Sequence, residues 1–462
     1  MAKDYTIDMC SGSIVGKMIR FSLPLMASGM LQLLFNAADV IVLGRFAGDN
    51  SMGAVGSTTA LINLFTNLFI GLSVGVNIIA SRAHGAHSER DMQDAVHTSM
   101  LLSVICGAAL AIIGVFLAPE MLELMKATEN QLPLATLYLR IYFLGMPAMM
   151  VYNFGSSILR AVGDTKRPLY FLTIAGVVNI GLNLLFVIVA QMDVAGVALA
   201  TVISQTVSAT LTVVCMIKEK GSIHLNLRKL RIKAHVLGSI VRVGVPAGLQ
   251  GAIFSLSNVV IQSSVNLFGD TVVNGNSAAQ SIEMFIYMAM NTFYQAAITF
   301  TGQNVGAKKY NRIPRILASS LICVTVTGLA LGWIAYLFGP QLVGIYTNSD
   351  NRAEVIAAGI VRMGYIVTTY ALCGMMDVMV GMLRGLGYSI MPMIVSVIGA
   401  CGLRILWIAT IFQIPEYHKI TTVYLSYPVT WTVTLLTHII CYIIIWNRLK
   451  KRQKGYFENQ SA

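Results

Sequence analysis

Asp39 stands out in this sequence as an ionisable group inside a long apolar run. Gln32, Asn36 and Asp39 fall at i, i+4 and i+7, so they form one polar stripe on an otherwise apolar helix. If that helix crosses a bilayer, a charge at mid-depth costs at least about 2.5–3.5 kcal/mol, which makes the residue a candidate for function. A carboxyl held out of water either takes up a proton or pairs with a cation. Asp39 therefore fits an ion-coupling role, with Gln32 and Asn36 lining a cavity beside it; the competing role is a structural hydrogen-bond hub.

Other polar groups have similar settings. Asn179 and Asn183 share a helix face at i and i+4, and Thr201 follows in the segment 196–201. Their amide and hydroxyl oxygens suit a hard cation such as Na⁺ at Asp39, although helix–helix hydrogen bonding is the commoner use of such side chains. Glu283 and Asp377 sit in later apolar runs, Asp377 about two turns before Arg384. Either acid can line a cavity, with Asn153 in the place that corresponds to Asp377. Glu283 can instead snorkel to the interface, and Asp377 can serve as half of a structural pair. Arg404 is a partner for one of these two acids, and Arg140 and Arg362 read as anchors near the outer interface. No other metal site is expected. His84 and His87 lie among Arg82, Glu89 and Arg90, and the seven Cys lie almost all in apolar runs without CxxC spacing.

The elements that must position these residues follow from composition. Of 462 residues, 56% are hydrophobic and 11% charged, against about 25% charged in a soluble globular chain. Apolar stretches long enough to span a bilayer, about 20 residues each, lie near 15–44, 54–81, 95–118, 133–159, 168–190, 194–217, 237–268, 276–301, 315–338, 354–383, 391–413 and 424–447. The first lacks a small-residue cleavage site and is expected to be retained. The fifth and sixth, split only by Gln191-Met192-Asp193, are expected to form a helical hairpin. About 24 of the 32 Lys and Arg fall with the termini and alternate loops, including the tail from Arg448 to Lys454. The positive-inside rule makes that side cytoplasmic. The net charge of +12 is then a topology signal, dispersed over short loops, and not a nucleic-acid surface.

The sequence also repeats. A shift of 222 places Arg20 on Arg242, Pro24 on Pro246, Gly29 on Gly251 and Asn36 on Asn258. A shift of 221 places Gly85-Ala86 on Gly306-Ala307, and one of 224 places Leu159-Arg160, Gly163 and Pro168 on Leu383-Arg384, Gly387 and Pro392. Six spans per copy is an even number, so the copies run in the same direction and are related by an axis along the membrane normal. The expected organisation is an amino-terminal lobe over 1–217, a basic cytoplasmic linker over 218–236 and a carboxy-terminal lobe over 237–462. The repeat partner of Asp39 is Ile261, so the fold does not itself demand an acid there. No nucleotide-binding phosphate loop is present, which leaves an ion gradient to drive any pump.

These residues resemble the multidrug and toxic compound extrusion (MATE) family over nearly the whole chain. The likeness rests on Leu159-Arg160 through Gly163-Asp164-Thr165-Lys166-Arg167-Pro168, its second copy from Leu383-Arg384 to Pro392, Gln303 through Gly306-Ala307, and the segment 196–201. The resemblance implies an all-α membrane protein of twelve transmembrane helices in two pseudo-symmetric six-helix bundles with a central cleft. It implies an antiporter, not an enzyme, that exports small organic, often cationic and amphipathic, drugs or metabolites by alternating access, driven by Na⁺ or H⁺ entry and without a cofactor. The setting would be the cell inner membrane, multi-pass, with both termini cytoplasmic, the chain working as a monomer. In the branch of the family with an amino-lobe ion site, the first-helix acid corresponds to Asp39, and Gln32, Asn179 and Thr201 also match. Where that branch commonly carries a second acid, this chain has Asn183. The other branch's seventh-helix Glu has no counterpart here. A flippase for a lipid-linked or amphipathic metabolite is the alternative reading. A membrane enzyme or sensor is disfavoured, since no His/Asp or Cys/His constellation converges in one loop.

Overall fold

A computed structural model describes residues 5–46, 49–124, 131–347 and 351–452. Lys454, at the end of the basic tail, lies outside them. Every regular element among the described residues is helical, as hydrocarbon requires of a chain that must satisfy its backbone polar groups within each segment.

The helices are α1 (Ile14–Phe46), α2 (Asp49–Gly85), α3 (Glu89–Leu124), α4 (Leu132–Leu144), α5 (Met146–Ala161), α6 (Lys166–Asn183), α7 (Asp193–Lys218), α8 (Ala234–Asn266), α9 (Asp270–Gly306), α10 (Ile313–Leu337), α11 (Gly339–Ile345), α12 (Arg352–Ile366), α13 (Ala371–Gly385), α14 (Ile390–Ser396), α15 (Leu403–Ala409) and α16 (Ile420–Arg452). Nine segments among the described residues are long and apolar enough to span on their own, and two bent pairs bring the number to eleven. The remaining expected span, 276–301, lies inside α9, whose 37 residues reach about 55 Å. Its polar side chains, among them Asn276, Glu283, Gln303 and Asn304, lower its hydropathy, and all four are buried. This helix hides its polarity inside the protein.

Two expected runs prove broken, and a third contains a π-helical turn. The run 133–159 is α4 and α5, bent by 45° where Gly145 is followed by Pro147. The run 354–383 is α12 and α13, bent by 46°. The run 391–413 is α14 and α15 joined by a π-helical turn, Val397–Gly402. The hairpin of the fifth and sixth spans forms as expected. Here α6 runs into a π turn, Leu184–Val189, and α7 begins just after Gln191, with φ of +51° and +53° at Gln191 and Asp193.

The chain divides into two compact units. Unit 1 is Met1–Asp8 with Leu23–Gly248, and unit 2 is Met9–Ser22 with Leu249–Ala462. The divisions fall beside Pro24 in α1 and Pro246 in α8, which are repeat partners. Within unit 1, α2 meets the first half of α8 backbone to backbone. A Cβ on Gly71 would lie 2.2 Å from the Gly248 nitrogen, and one on Gly75 would lie 2.5 Å from the Ile240 carbonyl oxygen. Close glycine packing of this kind drives helix association where no hydrophobic force separates helix from lipid. The basic segment after α7 packs on α3: Arg231 pairs with Asp94 at 3.1 Å, and Gln93 Nε2 donates to the Ser222 carbonyl at 2.9 Å.

Within unit 2 the segment Met9–Ser22 is tied to the end of α9. The Met9 N–H donates to Gln303 Oε1 at 3.2 Å, Asn304 Nδ2 donates to the Met9 carbonyl at 3.0 Å, and Phe21 meets Phe300 edge-on. The Gln303–Ala307 motif is thus an anchoring device. The other shared motifs also serve the backbone. Gly163 and Gly387 take φ of +89° and +95°, and His87 and Lys308, repeat partners after the Gly-Ala pairs, take +52° and +57°. In the first copy, Asp164 accepts from the backbone N–H groups of Lys166 and Arg167, both at 3.1 Å, and pairs with the Arg167 guanidinium.

Candidate functional site

In unit 1, α1 and α6 run side by side in the same direction. The Phe35 ring covers Gly176, where an added Cβ would fall 1.8 Å from the ring. One turn further along α1 and two turns further along α6, Asp39 meets Asn183, whose Nδ2 donates to Asp39 Oδ1. The same Nδ2 donates to Asn179 Oδ1 at 3.2 Å. Glycine at position 176 allows the approach, and the i, i+4 spacing stacks the two amides on the face that α1 covers.

The electrostatics of this group are simple. Asn183 is fully buried and Asn179 nearly so, while Asp39 is half-buried. No Lys, Arg or His forms an ion pair with Asp39 among the described residues. Asn183 Oδ1 is buried and has no hydrogen-bond partner, so an acceptor stands free next to an acid. The π turn begins at the residue after Asn183; such turns displace the backbone register and occur often at functional sites. Two further tyrosines, Tyr138 and Tyr142, stack at 5.9 Å and lie within electrostatic reach of Asp39. Their i, i+4 spacing on the span bearing Arg140 was the available signal.

Three other expected members do not join this cluster by hydrogen bonds. Gln32 and Asn36 are exposed. The Thr201 hydroxyl donates to the Val197 carbonyl at 3.0 Å, within its own helix. Asn153 likewise turns back on α5, donating to the Met149 carbonyl at 2.9 Å.

Unit 2 differs. Arg362 is 4% exposed and grips Glu283 with two hydrogen bonds of 2.7 Å, while Nη1 donates to Asn276 Oδ1 at 2.7 Å. Arg362 is therefore not an interfacial anchor, and Glu283 does not snorkel. The expected pairing of an acid with Arg404 also fails: Glu283 already has a guanidinium, and Arg404 forms no ion pair among the described residues. Burial of α12 against α9 is the physical reason, because a deep guanidinium must be compensated. Arg140, the repeat partner of Arg362, remains exposed and donates to the Val115 carbonyl at 3.0 Å. Asp377 is half-buried and accepts no hydrogen bond from a described residue. Nearby Arg384 is held by Tyr294 and by Gln250 Oε1, the latter at 2.8 Å. No group of three or more His, Cys, Asp or Glu among the described residues is placed to hold a metal.

The family model described as MatE matches residues 24–185 and again 246–410, the two matches starting 222 residues apart. The chain is 26% identical over 450 residues to the probable multidrug resistance protein YoeA of Bacillus subtilis (strain 168), covering 96% of this chain and 95% of that one. It is 28% identical over 397 residues to the probable multidrug resistance protein YpnP of the same organism, covering 86% and 88%. A solved outward-facing structure of a multidrug resistance MATE family transporter of the MOP superfamily superposes with a TM-score of 0.90 at 22% identity, over 98% of this chain and 100% of that one.

Proposed function

This chain belongs to the MatE family of multi-pass membrane transporters, and we propose that it is a secondary antiporter that exports organic, often cationic compounds in exchange for a proton or Na⁺ through Asp39. The supporting observation is the Asp39–Asn183 pair: an acid inside an apolar helix, bonded to an amide and lacking a cationic partner. The MatE match and the names of the relatives support export as the task.

The geometry favours the proton over Na⁺. When Asp39 is ionised, the Asn183 amino group donates to it, as seen here. When Asp39 is protonated, a rotated Asn183 amide presents its oxygen to the acid's O–H, so one side chain serves both states. A Na⁺ ion would need several oxygens, and among the described residues the cluster offers one carboxylate and the amide oxygens of Asn179 and Asn183. Moving one charge through 100 mV is worth about 2.3 kcal/mol, or roughly a forty-fold concentration ratio. The uneven distribution of Lys and Arg supports cytoplasmic termini in a cell inner membrane. Export by a monomer through alternating exposure of the site completes the reading. In cells expressing Asp39→Asn, drug efflux should collapse while the protein persists in the membrane; unchanged efflux would remove Asp39 from the mechanism.

A further inference from the structure

Arg404 is a buried cation that the coupling reading does not use. It is 3% exposed, and its one hydrogen bond among the described residues runs from Nη2 to Thr430 Oγ1 at 3.2 Å. Its Nε is buried without a partner. Arg362 in the same unit shows what a satisfied buried guanidinium looks like, with three hydrogen bonds of 2.7 Å, two of them to a carboxylate. Thr430 and the ring beneath Arg404 do not replace a counter-ion, because an unpaired charge out of water is costly.

The surroundings specify what would complete it. Arg404 lies over the Tyr427 ring at 3.9 Å from its centroid and 5.9 Å from that of Trp431. Tyr427, Thr430 and Trp431 share one face of α16 at i, i+3 and i+4. Trp431 in turn contacts Tyr427 edge-on at 5.6 Å and Tyr370 at 5.5 Å. Tyr427 is half-buried, whereas Trp431 is 4% exposed. Arg362 faces the same ring from 5.7 Å, but Glu283 neutralises it. The group Glu283, Arg362 and Arg404 thus carries one positive charge in excess beside flat aromatic surfaces. A guanidinium fork matches a carboxylate, and rings stack on planar ligands.

We propose that Arg404, with Tyr427 and Trp431, forms a receiving site for the carboxylate of a planar aromatic organic acid. The inference rests on the export reading for its biological use, but binding tests it separately. Full-length protein in nanodiscs is titrated with 9-anthracenecarboxylate and, in parallel, with the cation 9-(aminomethyl)anthracene, and bound ring fluorescence is read against empty nanodiscs. The wild-type protein should bind the carboxylate saturably. Arg404→Gln should weaken that binding by about tenfold or more, as loss of one partner of a desolvated charge pair implies, and leave the cation's binding in place. Arg404→Lys should fall between. Tyr427→Leu, which keeps the charge and removes the ring, should also weaken it and serves where Arg404→Gln does not fold. Asp39→Asn should leave carboxylate binding unchanged, so a failed ion-coupling reading would not touch this result. Absence of saturable carboxylate binding in the wild type, or equal binding in Arg404→Gln, would overturn the proposal.

Discussion

The Asp39 group in unit 1 and the Glu283–Arg362 group in unit 2 occupy a duplicated architecture with opposite chemistry. In unit 1 the acid's hydrogen-bond partner among the described residues is an amide, and one buried acceptor beside it is left open. In unit 2 the acid is gripped by a guanidinium through both oxygens. Counting from the shared prolines, Pro168 and Pro392, Arg404 stands where unit 1 has Ile180, next to Asn179. The acid-bearing helix of unit 1 carries Ile261 in its second copy. An unsatisfied charge belongs to a site that exchanges ligands, whereas a saturated pair holds helices together. Duplication kept the loops and helix ends and let the interiors diverge in sign.

That contrast can be broken by mutation. Glu283→Gln should be the most damaging change, because it strands the Arg362 charge; loss of one partner of a buried pair costs about 3–5 kcal/mol, read as a fall in the thermal midpoint of the purified protein. Asp39→Asn removes no ion pair and should stay within about 1 kcal/mol of wild type in the same assay. If the two variants melt alike, the division into a structural and an exchanging site is wrong. Next in size, Arg362→Lys should cost about 1–3 kcal/mol through loss of the two-pronged grip on Glu283 and of the 2.7 Å bond to Asn276. Its repeat counterpart Arg140→Lys, at an exposed position, should fall within about 0.5 kcal/mol of wild type. Equal costs would mean that burial does not separate these partners.

The smallest change sharpens the ion site. Asn183→Asp puts a second carboxylate beside Asp39 in place of the amide, with little change in volume. Two acids at one site attract a metal cation more strongly than one, so efflux measured against added Na⁺ at constant pH should become more Na⁺-dependent. No gain in Na⁺ dependence would show that the amide does not set the choice of ion.

Much of this is legible in the sequence. Apolar run length marked the spans, because bilayer thickness fixes the number of residues needed. The stripe at 32, 36 and 39 and the i, i+4 pair at 179 and 183 marked candidate faces. Gly163 and Gly387 were visible as repeat partners, and both take the left-handed conformation that favours glycine. What sequence could not supply was the partner across a helix pair. Nothing in the run around Arg362 tells whether it meets water or Glu283, 79 positions away. Nor does spacing say that Asp39 is bonded to Asn183 while Thr201 bonds its own helix. The bends at 45° and 46° were hidden for a related reason, since the residues on both sides remain apolar and helical.

The central claim is that the open acid in unit 1 couples export to ion entry. Its most direct test is substrate transport by purified protein in proteoliposomes, with a pH gradient or a Na⁺ gradient imposed separately, comparing wild type with Asp39→Asn. The account predicts that wild-type transport follows the pH gradient and that Asp39→Asn loses this response while still binding substrate. Transport by Asp39→Asn at the wild-type rate under the same gradient would contradict it.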